Sequence, residues 1–372
     1  MIESEEKFLI GEKYKGQSML NRMKKYGRFF LDYVNICGPK IGYIGGVYGT
    51  GNLGDEALRQ SAAALFPQCT LLEFPRKKNL AKLAKLIFPV SNGLLSGGTL
   101  INQRALWLEL TSIYMSAIRN FIVFGTGVGH PCFWPDRRKE WAGLLNQCRF
   151  VGVRGPLSAE LLRDAGVKSV EVVGDPVLVF ASDDFRTASQ GYRHKLLGMN
   201  VGWDRWKQWG TEEKIYARAV KLASYAREAG WKVRWFIVSP ADVEITIEIA
   251  SASGTLDEIC RIYTDAVRYI DLVKSCSVFV GTRLHSVVLA TCSYVPSLAL
   301  EYRPKCRDYM LSIDQGDFLI RTDMFDAGEA WNRILEIHDN REYFSKALYS
   351  SMKPLRELQI RKAQRLGDSI LM

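Results

Sequence analysis

The stretch "IGYIGGVYGTGNLGDE", residues 41–56, runs from an apolar segment through a glycine-rich turn into a helical pattern, and its reading decides the fold class. Residues 41–47 read as a buried strand, and the periodicity over 56–66 predicts a helix. A strand, a tight turn and a helix in that order form the opening unit of a βαβ alternation. The alternation continues, with strands expected at 93–95, 121–124, 150–153 and 170–173 and helices at 106–119 and 157–165. After a polar stretch over 182–193 it restarts. Strands are expected at 197–201, 233–238, 278–280 and 296–300, and a helix at 212–229.

The pattern predicts an α/β protein of two doubly wound, Rossmann-like domains facing a cleft. The expected division is a basic extension over 1–40, domains over 41–185 and 186–340, and a basic helical tail over 341–372. A chain of 372 residues, 47% hydrophobic and 24% charged, suits two globular domains. No apolar run reaches the roughly 18 residues of a spanning helix, and the acidic start does not read as a secretory segment, so a cytoplasmic protein is expected. The eight cysteines form no CxxC pair and have no histidine at ligand spacing, which predicts reduced, mostly buried thiols and no metal site.

A net charge of +10 implies an anionic partner: a phosphorylated small molecule, a membrane surface or nucleic acid. Much of the excess lies at Lys13, Lys15, Arg22, Lys24, Lys25 and Arg28, and at Lys353, Arg356, Arg361, Lys362 and Arg365. The first set is interleaved with Met19, Leu20, Met23, Phe29, Phe30 and Leu31, a pattern of a basic amphipathic helix that rests on anionic lipid or of a solvated helix covering the core. No nucleic-acid-binding motif accompanies these charges, and nucleic acid is not an expected partner.

In open α/β sheets ligands bind beyond the carboxyl ends of the strands. Gly49 to Gly54 matches the dinucleotide pattern G-x-G-x-x-G, with Glu73 closing a second strand. Asp55 and Glu56 oppose that reading, because two carboxylates in the first helical turn repel a pyrophosphate. Gly97-Gly98-Thr99 and the segment from Gly125 to His130 follow two further strands, and there small residues permit close backbone approach. Cations occupy the same kind of position. Arg154 follows one strand and is expected to project into the cleft; Arg283 and His285 follow another, and Lys305 a third. Together they suggest a site for a small ligand carrying carboxylate and phosphate.

These motifs resemble the polysaccharide pyruvyl transferase family: Gly49 to Glu56, Gly97-Gly98-Thr99, Val153 to Ser158 leading to Gly174-Asp175-Pro176, Gly281 to His285, and Tyr302 to Lys305. The resemblance implies a GT-B-like arrangement and transfer of pyruvate from phosphoenolpyruvate onto a sugar of a cell-surface polysaccharide or its lipid-linked precursor, with a ketal formed, phosphate released and no cofactor or metal. On that reading His285 is the proton donor, with Arg283 beside it in the catalytic pair. Arg154 and Lys305 bind the donor, and Gly51, Asn52, Asp55, Gly97, Gly98, Thr99 and Leu284 line the substrate site. From the residues themselves, Trp203, Trp206 and Trp209 read either as a platform for the sugar or, by their spacing of three, as the core face of a short helix. The sequence departs from the family where Gly202-Trp203-Asp204 stands in place of an expected arginine. Two other readings stay open. One is a nucleotide-sugar glycosyltransferase in which Glu301 holds a ribose; the other is a non-catalytic basic module that docks to nucleic acid or membrane through the charged termini, which in the transferase reading would give peripheral contact with the inner face of the cell membrane.

Overall fold

The first strand, β1 (Lys40–Gly45), is buried along nearly its whole length, as a strand covered by helices on both faces must be. The computed structural model describes residues 38–46, 49–87, 90–183, 185, 194–203 and 208–371. In the first half, β1 is followed by α1 (Leu53–Leu65), β2 (Thr70–Glu73), α2 (Lys78–Ile87), β3 (Asn92–Ser96) and α3 (Ala105–Met115). β4 (Asn120–Thr126), α4 (Arg138–Leu145), β5 (Phe150–Val153), α5 (Pro156–Asp164) and β6 (Glu171–Val172) complete it. A 3-10 turn, Pro176–Phe180, leads toward the second half.

There β7 (Leu196–Asn200), α6 (Glu212–Glu228), β8 (Lys232–Ile237), α7 (Val243–Ala252), β9 (Glu258–Arg261) and α8 (Ala266–Val273) come first. β10 (Val278–Gly281), α9 (Leu284–Cys292), β11 (Ser297–Glu301), α10 (Pro304–Ser312), β12 (Leu319–Arg321), α11 (Ala327–Asp339) and α12 (Arg341–Leu371) follow. The six-stranded sheets have the orders β2-β1-β3-β4-β5-β6 and β12-β11-β10-β7-β8-β9, and the described ladders are parallel.

These orders fix where ligands can go. The strand order reverses between β1 and β3 in one sheet and between β7 and β10 in the other, and binding crevices open at such switch points. The glycine-rich turns after β1 and β3 therefore lie at the first switch point, and the turn after β10 at the second.

Local chemistry explains the helix starts. The Asn52 side chain accepts a hydrogen bond from the Gly54 N–H, and Asp55 and Glu56 complement the dipole of α1. Pro156 opens α5, where its missing N–H costs nothing. Strands β9 and β12 were not expected from the sequence. They are short, partly exposed edges and lack the apolar run that marks a central strand.

The halves share a core. Leu53, Ala57 and Leu58 of α1, with Val177 and Leu178, join the apolar cluster of the second half. The Leu53 N–H also donates to the Val238 carbonyl at 2.9 Å. Helix α12 ties the halves a second time. Its buried Arg341 donates to the Ser277 carbonyl at 2.8 Å in the second half, whereas Gln359 donates to the Val173 carbonyl at 3.0 Å in the first. Of the tail cations, Lys362 pairs with Glu171, Arg356 with Asp183 and Arg361 with Glu357. The basic segment before residue 38 lies outside the described residues. No described helix is long and apolar enough to cross a membrane. All seven described cysteines are free thiols, four of them buried and Cys132 exposed.

Candidate active site

The turn between β10 and α9 is pinned by Asn200 at the end of β7. Its buried side-chain oxygen accepts from the Arg283 N–H at 3.0 Å and the Ser286 hydroxyl at 2.9 Å, while its amide donates to the Phe236 carbonyl at 2.8 Å. Arg283 then reaches toward the end of β8. Its Nε and Nη2 grip the two oxygens of Asp242, a fully buried carboxylate, and Nη2 also donates to the Trp203 carbonyl at 3.0 Å. A guanidinium held in such a two-pronged pair has a fixed plane.

His285 follows in the first turn of α9 and crosses to the other half. Its ring lies against Gly54, so closely that a Cβ there would come within 2.5 Å of Nδ1. Gly54 is thus required by the approach of the imidazole. On the far side Nε2 faces Asp175 Oδ2 at 3.6 Å. That is longer than a hydrogen bond, and the contact becomes an ion pair only when the imidazole carries a second proton. Asp175 is fully buried and caps the 3-10 turn through Oδ1, which accepts from the Val177 N–H at 3.1 Å. Burial pushes its carboxyl up, but His285, the Arg154 charge and the Val177 N–H together outweigh it and hold the group below the usual carboxylate range.

Asp55 sits half-buried in α1. Burial raises its carboxyl above the ordinary value, and the neighbouring charges of His285, Arg76 and Lys305 pull the other way. One carboxylate therefore senses the imidazole of α9, a cation of α10 and an arginine from the end of β2. Arg76 was not expected from the sequence. It donates to the Gly45 carbonyl and stacks 5.0 Å from the Trp107 ring.

Arg154 does not project into an open cleft. Its guanidinium is fully buried between the halves, with Nε 3.4 Å from Asp308 Oδ2, Nη1 donating to the Gly98 carbonyl at 3.3 Å and Nη2 to the Thr99 hydroxyl at 3.5 Å. The same Asp308 carboxylate accepts from the Ser158 N–H at 3.0 Å and its hydroxyl at 2.7 Å. A single acidic group from α10 thus lies in ion-pair range of Arg154 and accepts from the N-terminus of α5. Gly155 admits α10 here, since a Cβ would meet the Asp308 carbonyl oxygen at 2.0 Å.

Lys305 opens α10 with its ammonium 4.8 Å from the Tyr302 ring. Beside it a small pocket bridges the halves, lined among others by Thr99, His130, Phe133, Trp134, Arg303 and Lys305. Arg303 lies over the Trp134 and Tyr302 rings, at 5.6 and 5.5 Å. His130 accepts the Cys132 N–H on Nδ1 at 3.2 Å, and burial, helped by Arg138, holds its ring below the usual histidine value.

The remaining expected site residues are placed as follows. Glu56 folds back so that Oε1 accepts from the N–H groups of Gly49 at 2.5 Å and Thr50 at 3.2 Å. The N–H groups of this glycine-rich turn are thus taken up by the chain's own carboxylate, a contact not expected from the sequence. Asn52 spends its side-chain oxygen on the cap of α1, and Gly51 lies near Pro240 of the second half. Gly97 and Gly98 both have positive φ, and the Gly98 carbonyl serves Arg154.

Leu284 is a correction: it is buried in the apolar cluster of the second half and faces the core. The side chain of Trp203 packs against that same cluster, and its carbonyl holds Arg283. Trp209 stands edge-on to Phe133 at 5.1 Å, with Arg321 over it at 4.6 Å, whereas Asp204, Arg205 and Trp206 lie outside the described residues. Glu301 is buried and both its oxygens bind Arg307, at 3.2 and 2.6 Å, so it is not placed to hold a ribose.

Sequence reasoning missed Asp242, Asp308, Asn200 and Arg76. Asp242 and Arg76 each follow a strand within a few residues, so the strand-end rule could have found them. Asp308 lies inside a helix, with nothing local to mark it.

Two parallel sheets with their switch points turned toward each other define a two-domain α/β fold of the GT-B class. Solved structures of the same fold include a glycosyltransferase from Rickettsia africae, at TM-score 0.57 and 10% identity over 90% of this chain and 98% of that one. A UDP-GlcNAc 2-epimerase from Neisseria meningitidis reaches TM-score 0.52 at 10% identity, over 87% of this chain and all of the other. Os79 from O. sativa reaches 0.55 at 9% identity, over 89% and 100%. No curated relative matches the chain. The profile of the polysaccharide pyruvyl transferase family matches residues 52–304, more than half of the sequence, and the chain belongs to that family of transferases.

Proposed function

We propose that the protein transfers the pyruvyl group of phosphoenolpyruvate to two hydroxyls of a saccharide acceptor, free or lipid-linked, in polysaccharide biosynthesis. The observation that carries this reading is the packing of the His285 ring against Gly54, beside Asp55, which the charges of His285, Lys305 and Arg76 reach, with Arg283 two residues before His285 and fixed by Asp242. Arg283, its plane set by Asp242, suits the donor carboxylate, and Lys305 at the start of α10 suits the phosphate. Arg154 supports the site from beneath by holding the Gly98-Thr99 turn. His285 gives a proton to C3 of the donor, which makes C2 electrophilic, and the first sugar hydroxyl adds there as its proton returns to the imidazole. The second hydroxyl then attacks C2, the bond to phosphate breaks, and that hydroxyl's proton leaves with the phosphate. The aromatic walls of the pocket beside Lys305, Phe133 and Trp134, are suited to the apolar face of a pyranose.

A thermal-shift series with phosphoenolpyruvate, UDP-sugars and NAD tests the donor. Phosphoenolpyruvate is expected to raise the Tm of the wild type and to leave Arg283→Ala unshifted. Phosphate release from phosphoenolpyruvate with a mixed glycan acceptor is expected to fall about 10²- to 10⁴-fold in His285→Ala. A shift with a UDP-sugar and none with phosphoenolpyruvate would overturn the proposal in favour of glycosyl transfer.

A further inference from the structure

The Gly174-Asp175-Pro176 motif places its carboxylate where the proposed function gives it no task. Asp175 belongs to the first half, yet its Oδ2 points at the Nε2 of His285 in the second, 3.6 Å away. Its other attachments hold it still. Oδ1 is fixed by the Val177 N–H, and its carbonyl accepts from Gln359 of α12 at 2.9 Å. Oδ2 and Nε2 are both buried, and neither has a hydrogen-bond partner, so each is the nearest opposite-natured group available to the other. The charged groups around the pair are Arg154, which draws on Asp175, and Asp55, which draws on the imidazole. Nδ1 lies on the opposite edge of the ring, against Gly54 at the start of α1.

From this geometry we infer that Asp175 is the positioning residue for His285: it keeps a proton on Nε2, so that Nδ1 is the nitrogen that exchanges protons in the cleft. The inference rests on reading His285 as the acid of the reaction. A buried carboxylate facing one ring nitrogen sets the tautomer and steadies the imidazolium formed when the other takes a proton, the role an aspartate plays in a hydrolytic triad. Here the nitrogen that faces the carboxylate is Nε2 and the working nitrogen is Nδ1. The carboxylate and the imidazole come from different halves, so the dyad exists only when α9 is docked on α1.

The test is the tautomer itself, read by long-range ¹H–¹⁵N correlation on the full-length protein in the pH range where the rings are neutral. The His285 signals are assigned by their loss in His285→Gln. The wild type without substrate is expected to show His285 as the Nε2–H tautomer, and Asp175→Asn to shift it toward Nδ1–H. In phosphate-release assays Asp175→Asn is expected to lower kcat at least 10²-fold with KM for phosphoenolpyruvate within about threefold, and Asp175→Glu to recover part of the loss. An Nδ1–H tautomer in the wild type overturns the inference, as does an Asp175→Asn enzyme of unchanged kcat. Should Asp175→Asn fail to fold, the wild-type tautomer decides alone. That spectrum needs no substrate, so a protein that ignores phosphoenolpyruvate yet shows Nε2–H refutes the donor assignment while leaving the dyad standing.

Discussion

Replacing Gly54 by alanine tests the contact on which the site depends. On helical propensity alone the change should stabilise α1 by up to about 1 kcal/mol. The structure reverses the sign, because the new methyl would lie 2.5 Å from His285 Nδ1, 3.0 Å from Cγ and 3.2 Å from Cβ. Carbon contacts settle near 3.5–4.0 Å, so the imidazole or the start of α9 must retreat by roughly 1 Å. Forced overpacking of this kind costs about 1–3 kcal/mol, which leaves a net loss of about 0–2 kcal/mol in the wild type. In a His285→Ala background only the 3.2 Å contact with Cβ survives, and the same substitution should become neutral or mildly stabilising. Urea denaturation of the four proteins in the cycle should therefore give a coupling of about 1–3 kcal/mol. Phosphate release should also fall by about 10²-fold in Gly54→Ala, since a catalytic group displaced by 1 Å loses that much. Additive stabilities, within about 0.5 kcal/mol, would show that the imidazole does not rest on Gly54 and would refute the docking of α9 on α1.

Asp308→Asn leaves the buried Arg154 charge uncompensated and weakens the cap of α5, so it should destabilise the fold by about 3–5 kcal/mol, against about 1 kcal/mol for Ser158→Ala, both read by urea denaturation. Asp175 is held below the ordinary carboxylate range, so its stabilising effect is complete above the unfolded value, near pH 4, and is lost as pH falls below it. The Tm advantage of the wild type over Asp175→Asn should accordingly shrink as pH falls below about 5; an advantage that grew there instead would contradict that sign.

The central strands were legible because a parallel strand buried on both faces must be an apolar run, and β1, β4, β5, β7 and β10 are such runs. The edges β9 and β12 were not, since a half-exposed strand of three or four residues carries no periodicity to separate it from a loop. The strand-end rule likewise placed Arg283, His285 and Lys305 just past β10 and β11, because residues that follow parallel strands all emerge at one edge of the sheet. Their partners were beyond it. Asp242 is 41 residues before Arg283, and Ser158 lies 150 residues before the Asp308 that also takes up Arg154. Such pairings arise only when one half docks on the other. Docking also decided the fate of Arg154: it reads as a cation offered to ligand, yet α10 brings a carboxylate to it and seals it. Sequence by itself thus determined which residues stand at the ends of the strands, through periodicity and the order of elements. Only tertiary structure decided which of them are sealed by a partner, as Arg154 is by Asp308, because burial and charge pairing depend on neighbours the chain supplies from far away.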